Sequence, residues 1–205
     1  MQKRIRIGKL ERLQQQLTAK SAWERLQWAE AMFGPKAVAT ACLGADCAVM
    51  LHMLAQACPQ SPVFVIAGGG LSQEAQAAVA AMEERLGLRV RLLDLYAPTT
   101  AGDQPAGDQP AGGAGPDGGA GLAAALDEAF CWISDSRRHQ AFAPGELAVL
   151  ERLHDGLYQL NPLFDWPAEA LEAYREQYNL PRPEHAGWRA AAQGSSAWVA
   201  QHAAR

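Results

Sequence analysis

The sequence predicts an α/β fold, a mostly parallel sheet covered by helices on both faces and entered through an N-terminal helical segment. Two short apolar runs carry that expectation, residues 36–42 (KAVATAC) and 63–67 (VFVIA). Strands apolar along their whole length are those buried on both faces of a parallel sheet. Glycine follows each run and opens into a helical stretch, giving the order strand, helix, strand, helix, strand. That is the order of βαβ units, whose crossovers are right-handed. The 205 residues, 49% of them hydrophobic and 20% charged, suffice for one such domain with a sizeable core.

Residues 9–33 place Leu10, Leu13, Leu17, Trp23, Leu26 and Phe33 near helical spacing, and Ser21 can cap a second helix running to Met32. Gly34-Pro35 breaks it before the first strand. After Gly44, residues 45–57 read as a helix with little polar surface, carrying Val49, Leu51, His52, Leu54 and Ala55. Pro59 and Pro62 close it ahead of the second strand. Gly68, Gly69 and Gly70 lead into a helix over 72–86 with Ser72 as its cap, and Gly87 ends it. Residues 88–95 (LRVRLLDL) alternate as a third strand.

Residues 97–121 differ in kind. They contain a duplicated AGDQP and are mostly Gly, Ala, Pro and Asp, too poor in apolar area to offset the entropy of ordering, so a disordered linker is expected. Beyond it the pattern predicts a helix over 122–128, a strand over 130–134 (FCWIS) and a helix over 145–154. A short strand over 158–161 (YQLN) and a helix over 167–178 with Pro167 at its first position follow. Residues 187–205 are Ala-rich and expected to be helical. The expected organisation is a helical segment (1–35), a first α/β half (36–96), the linker (97–121), a second α/β half (122–186) and a tail (187–205).

The net charge of −4 supplies no field for nucleic acid or anionic lipid. All four lysines (Lys3, Lys9, Lys20, Lys36) precede residue 37, with Arg4, Arg6, Arg12 and Arg25 among them. This reads as a solvated basic helix face, or as a docking arm for an acidic partner or a nucleotide. No apolar run is long enough to span a bilayer, and the charged N-terminus has no apolar stretch behind it to make a secretory signal. Cys42, Cys47, Cys58 and Cys131 form no C-x-x-C pair, which argues against a disulfide framework and for a reducing cytoplasm. His52, His139 and His154 lack metal-ligand spacing.

A glycine turn between strand and helix offers backbone N–H groups and the positive end of a helix dipole to an anion, at the carboxyl end of a strand where open α/β sheets bind ligands. Leu43, Gly44 and Ala45 are therefore candidates for cradling a phosphate or sulfate, although any βα unit can use glycine there. Arg137 and Arg138 directly follow a strand. Guanidinium forks suit such oxyanions, although Arg-Arg pairs are commonly surface residues. Asp165 can cap the helix that starts at Pro167, with Trp166 burying its ring.

Three stretches in order resemble the sulfonucleotide reductases, the adenylyl-sulfate and phosphoadenylyl-sulfate reductases. Residues 39–51 (ATACLGADCAVML) are similar to the family's S-F-G-A-E-D turn, with Gly44, Ala45 and Asp46 in place. Residues 132–140 (WISDSRRHQ) resemble W-I-[ST]-G-x-R-R-x-Q, and residues 161–166 (NPLFDW) resemble N-P-L-x-D-W, with Asn179-Leu180-Pro181 beyond the following helix. The resemblance covers roughly residues 23–195. It implies a doubly wound sheet of the adenine-nucleotide α-hydrolase type, and Arg137 and Arg138 as the residues that grip a phosphosulfate.

The resemblance also marks departures. The family's reducing thiolate lies in a Glu-Cys-Gly-[IL]-His motif that this sequence does not contain. The adenylyl-sulfate form holds an iron–sulfur cluster on two cysteine pairs, and residues 187–196 (GWRAAAQGSS), which match the region of the second pair, hold no cysteine. After the second strand, AGGGLSQEA replaces an Asp-Thr-Gly turn and its acidic-Thr pair. The resulting expectation is a degenerate member with no catalytic residue, no metal and no cofactor. It would bind an adenine sulfonucleotide, or stand as a scaffold beside another sulfur-assimilation protein, with homo-oligomerisation left open. The alternative is an enzyme that binds a sulfonucleotide and works with an external thiol. Cys42 or Cys47 at a helix N-terminus could be an activated replacement nucleophile, or simply a small buried residue.

Overall fold

The computed structural model describes residues 7–44, 46–67, 73–94, 120–137, 147–153 and 156–181. Two helices, α1 (Ile7–Thr18) and α2 (Ala22–Phe33), precede a 3-10 turn (Gly34–Lys36) and the first strand, β1 (Ala37–Cys42). Then come α3 (Cys47–Ala57), β2 (Val63–Ala67), α4 (Gln73–Leu86), β3 (Val90–Asp94), α5 (Ala120–Asp127), β4 (Cys131–Ser134), β5 (Leu150–Arg152), β6 (Tyr158–Leu160) and α6 (Ala168–Gln177). The six strands form one sheet in the order β3-β2-β1-β4-β6-β5, parallel except for β5 against β6.

Every residue of β1, β2 and β4 is buried, which is why these runs are apolar without alternation. Side chains still leave each strand on alternate faces. Ala37, Ala39, Val63, Val65 and Ile133 join the larger core with α2, α3 and α6, whereas Val38, Phe64, Ile66 and Trp132 meet Leu122 and Leu126 of α5 on the other face. The sheet is thus covered on both sides. Inside it, the Trp132 indole N–H donates to Thr40 Oγ1 at 2.8 Å, pairing two polar groups that would otherwise be stranded between β1 and β4.

The cap predicted at Ser21 is present as a full capping box. The Ser21 hydroxyl accepts the Glu24 N–H, and the Glu24 carboxylate accepts the Ser21 N–H at 2.9 Å. At the far end of the chain the expected cap is not formed. Pro167 is itself the N-cap residue of α6, with no side-chain cap, and Asp165 instead forms a fork with Arg25, both oxygens at 2.7 Å from the guanidinium. Arg25 is therefore no part of a solvated basic face. It is 1% exposed, and its remaining N–H groups reach the carbonyls of Leu17, Thr18 and Pro162, so all five donors are used.

Among the described residues of the helix expected over 145–154, residues 147–153, no helix is formed. Residues Leu150–Arg152 are an edge strand antiparallel to β6, with Leu150 opposite Leu160. Past the paired residues, Gly156 takes φ +89° and the Leu153 N–H donates to the Leu157 carbonyl. Asn161 locks the hairpin to the preceding loop by donating to the Ala148 carbonyl at 2.8 Å. The helix after the linker begins at Ala120, two residues inside the run expected to be unstructured. Ser72, residues 95–119 and the tail 187–205 lie outside the described residues. No helix among the described residues is long and apolar enough to cross a membrane.

Candidate functional site

The chain leaves β1 toward β2 and β3 on one side and later returns to place β4 and β6 on the other. The carboxyl ends of β1 and β4 therefore flank the point where strand order reverses, the position at which an open α/β sheet has a crevice for ligands. Two sequence motifs end there by construction, the turn after β1 and the residues after β4.

Leu43 is buried and its N–H continues the ladder to the Ile66 carbonyl at 2.8 Å, so that donor is committed to the sheet. The Gly44 carbonyl accepts the Cys47 N–H at 3.1 Å and closes the turn. Asp46 follows as the residue that precedes α3, and its side chain makes no cap hydrogen bond to the helix. Asp46 Oδ2 accepts from Arg137 Nε at 2.9 Å and Nη2 at 2.8 Å, with both side chains 10% exposed. Arg137 Nη1 reaches the Trp166 carbonyl at 3.3 Å. One guanidinium thus holds together the turn after β1, the segment after β4 and the turn before α6. Ala45 and Arg138 lie outside the described residues.

A second contact joins the same two strand ends. Asp135 is buried, and its Oδ2 accepts the Cys42 N–H at 2.6 Å. Burial pushes its carboxyl up to about 6, Asp46 nearby adds to the rise, and the hydrogen bonds from Cys42 oppose it. Ser134 and Ser136 hydroxyls pair at 2.7 Å beside it. Sequence reasoning passed over Asp135. The signal was present, since an acidic residue stands where the resembled pattern W-I-[ST]-G-x-R-R has glycine.

All four cysteines are buried and none is in a disulfide. Cys47 opens α3, yet the helix end does not activate it. Burial raises its thiol strongly and Asp135 raises it further, so the expected drop is reversed. Cys131 is also raised by burial, and Cys58 is pushed up to about 12 by burial and by Glu30. His52 is held between helices, its Nδ1 2.9 Å from the Tyr174 hydroxyl and its Nε2 2.8 Å from Gln56. No group of three or more acidic, His or Cys side chains among the described residues is placed to hold a metal ion.

Comparison with known proteins bears on the family and the fold. Residues 36–110 match the model of the phosphoadenosine phosphosulfate reductase domain. The chain is 30% identical over 186 residues to the phosphoadenosine 5'-phosphosulfate reductase of Photobacterium profundum, covering 85% of this chain and 72% of that protein. Among solved structures it is similar in fold to a phosphoadenylyl-sulfate reductase of Candida auris in a phosphate complex, with a TM-score of 0.60, 17% identity, and 88% and 90% of the two chains covered. It is also similar to an FMN adenylyltransferase of Candida glabrata, with a TM-score of 0.55, 15% identity, and 78% and 56% covered.

Proposed function

This chain belongs to the phosphoadenosine phosphosulfate reductase family, and from that membership we propose that it binds an adenine sulfonucleotide in the crevice between β1 and β4 without reducing it by its own thiols. In this reading it is a binding or scaffold paralogue within sulfate assimilation. Leu43, Gly44, Ala45 and Asp46 form the turn beneath the anion, and Arg137 and Arg138 are its cationic partners. The observation that carries the reading is the triple engagement of Arg137, which joins all three motif-bearing segments at the sheet's switch point. The non-reducing half rests on the thiols. Attack on sulfur needs an accessible thiolate, whereas the four cysteines are buried, and three of them are held well above neutrality. Cysteines outside any disulfide also fit a reducing compartment such as the cytoplasm.

Calorimetric titration with adenylyl sulfate, phosphoadenylyl sulfate and AMP tests the binding. The sulfonucleotides should bind and Arg137→Ala should abolish it, with Arg137→Lys retaining only part because an ammonium cannot fork. Failure of all three ligands to bind would refute the reading. With thioredoxin or glutathione added, no sulfite should be released. Sulfite formed with glutathione by a variant whose four cysteines are serine would instead establish an enzyme that borrows an external thiol.

A further inference from the structure

In a parallel sheet successive residues of a strand bond to opposite neighbours. Ala39 and Leu43 donate to carbonyls on the β2 side, Pro62 and Ile66, so the Cys42 N–H faces β4. But β4 ends at Ser134, which sits opposite Thr40, and β1 runs two residues further. The Cys42 N–H therefore points toward β4 beyond the last rung between these two strands. A main-chain donor in that position is suited to an oxygen of a phosphate or sulfate. Here the oxygen it holds is Asp135 Oδ2, at 2.6 Å.

Asp135 is 7% exposed, so water does little to spread its charge. The titratable groups that act on it are Asp46 and Cys47 at the start of α3, with Cys42 at the end of β1 as its hydrogen-bond partner. Arg137, two residues further along the chain, has Nε and Nη2 on Asp46 and Nη1 on the Trp166 carbonyl. Among the described residues, Asp135 is thus held by the neutral Cys42 main-chain N–H, with the Asp46 carboxylate as a second negative charge nearby.

We infer that Asp135 determines the specificity of this site: its carboxylate stands in for one oxygen of the ligand's anionic group, and a multiply charged sulfonucleotide binds only against that charge. This rests on the sulfonucleotide reading above and refines it. The consequence is dependence on pH. With its carboxyl pushed up to about 6, Asp135 is neutral below that value and charged above it. Anion affinity therefore rises as pH falls through 6, and the rise belongs to this one side chain.

Adenylyl sulfate is the suitable probe, because its anhydride oxygens stay ionised across the range. Its affinity for the full chain is measured by calorimetry at about pH 5 and about pH 8, for the unmodified protein and for Asp135→Asn, whose amide oxygen can still accept the Cys42 N–H. The unmodified protein is expected to bind about tenfold more tightly at the lower pH, the effect of one suppressed charge, while Asp135→Asn binds about equally at both. Equal affinity of the unmodified protein at the two pH values, or an undiminished pH dependence in Asp135→Asn, would overturn the role of Asp135 and leave sulfonucleotide binding standing. No binding by either protein at either pH would overturn both. The comparison of the unmodified protein at two pH values holds even if the variant does not fold.

Discussion

Arg25 shows how far a side chain's role can depart from its neighbourhood in sequence. It lies among lysines and arginines that read as a wet face, yet it is the largest fully buried side chain among the described residues and ties α2 to the segment before α6. Nothing local announces this, because its partners Pro162 and Asp165 are 137 and 140 residues away. Removing it takes a donor from the Thr18 and Pro162 carbonyls, while the Leu17 carbonyl keeps the Lys20 N–H and Asp165, with 44% of its side chain exposed, can turn to water. Arg25→Ala should cost about 2–4 kcal/mol in urea unfolding, and Arg25→Lys should recover only part. Asp135 acts in the opposite sense. Its carboxyl ordinarily titrates at 3.8 and here at about 6, so the folded chain holds this proton more tightly than the unfolded one. Stability is then greatest below 3.8 and is lost as pH rises through 6, by on the order of 3 kcal/mol. Asp135→Asn should abolish that contribution, seen as a flatter pH profile of the unfolding free energy than that of the unmodified protein.

The elements differ in how legible they are, and burial explains the difference. Strands β1, β2 and β4 lie inside the sheet with both faces covered, so their apolar runs name them directly. Strand β5 is three residues long and lies at the edge, and Leu147, Leu150 and Leu153 suit a helix face equally well. Antiparallel pairing with β6 decides the matter, and a local window contains none of that information. The start of α2 is legible because Ser21 and Glu24 are three residues apart and satisfy each other. Ser21→Ala should lower stability by about 1 kcal/mol in thermal or urea unfolding, with little change for Ser21→Asp. The end of α6 depends instead on distant help. Asn179 takes φ +49°, and Arg85 of α4 donates to the Tyr178 and Asn179 carbonyls at 2.9 and 2.8 Å. That C-cap joins two helices whose sequences carry no sign of meeting.

Taken together, the molecule is a doubly wound sheet whose strand order brings distant motifs to one crevice. The three stretches that suggested the family sit apart in sequence, and only the fold places Asp46, Arg137 and the Trp166 carbonyl within hydrogen-bonding distance. The motif residues were legible, but the ion pair between them was not, since Asp46 and Arg137 are 91 residues apart. The chemistry of the thiols was legible only in part. Their sequence positions allowed Cys47 to be activated by a helix end, whereas three-dimensional burial overrides the dipole. The most direct test mixes the protein with adenylyl sulfate in the absence of any reductant and weighs it by native, then denaturing, mass spectrometry. An intact one-to-one complex that disappears in Arg137→Ala, with the protein mass unchanged after unfolding, is the predicted result. A sulfo group left on any of the four cysteines with release of AMP, or a complex undiminished in Arg137→Ala, would contradict it.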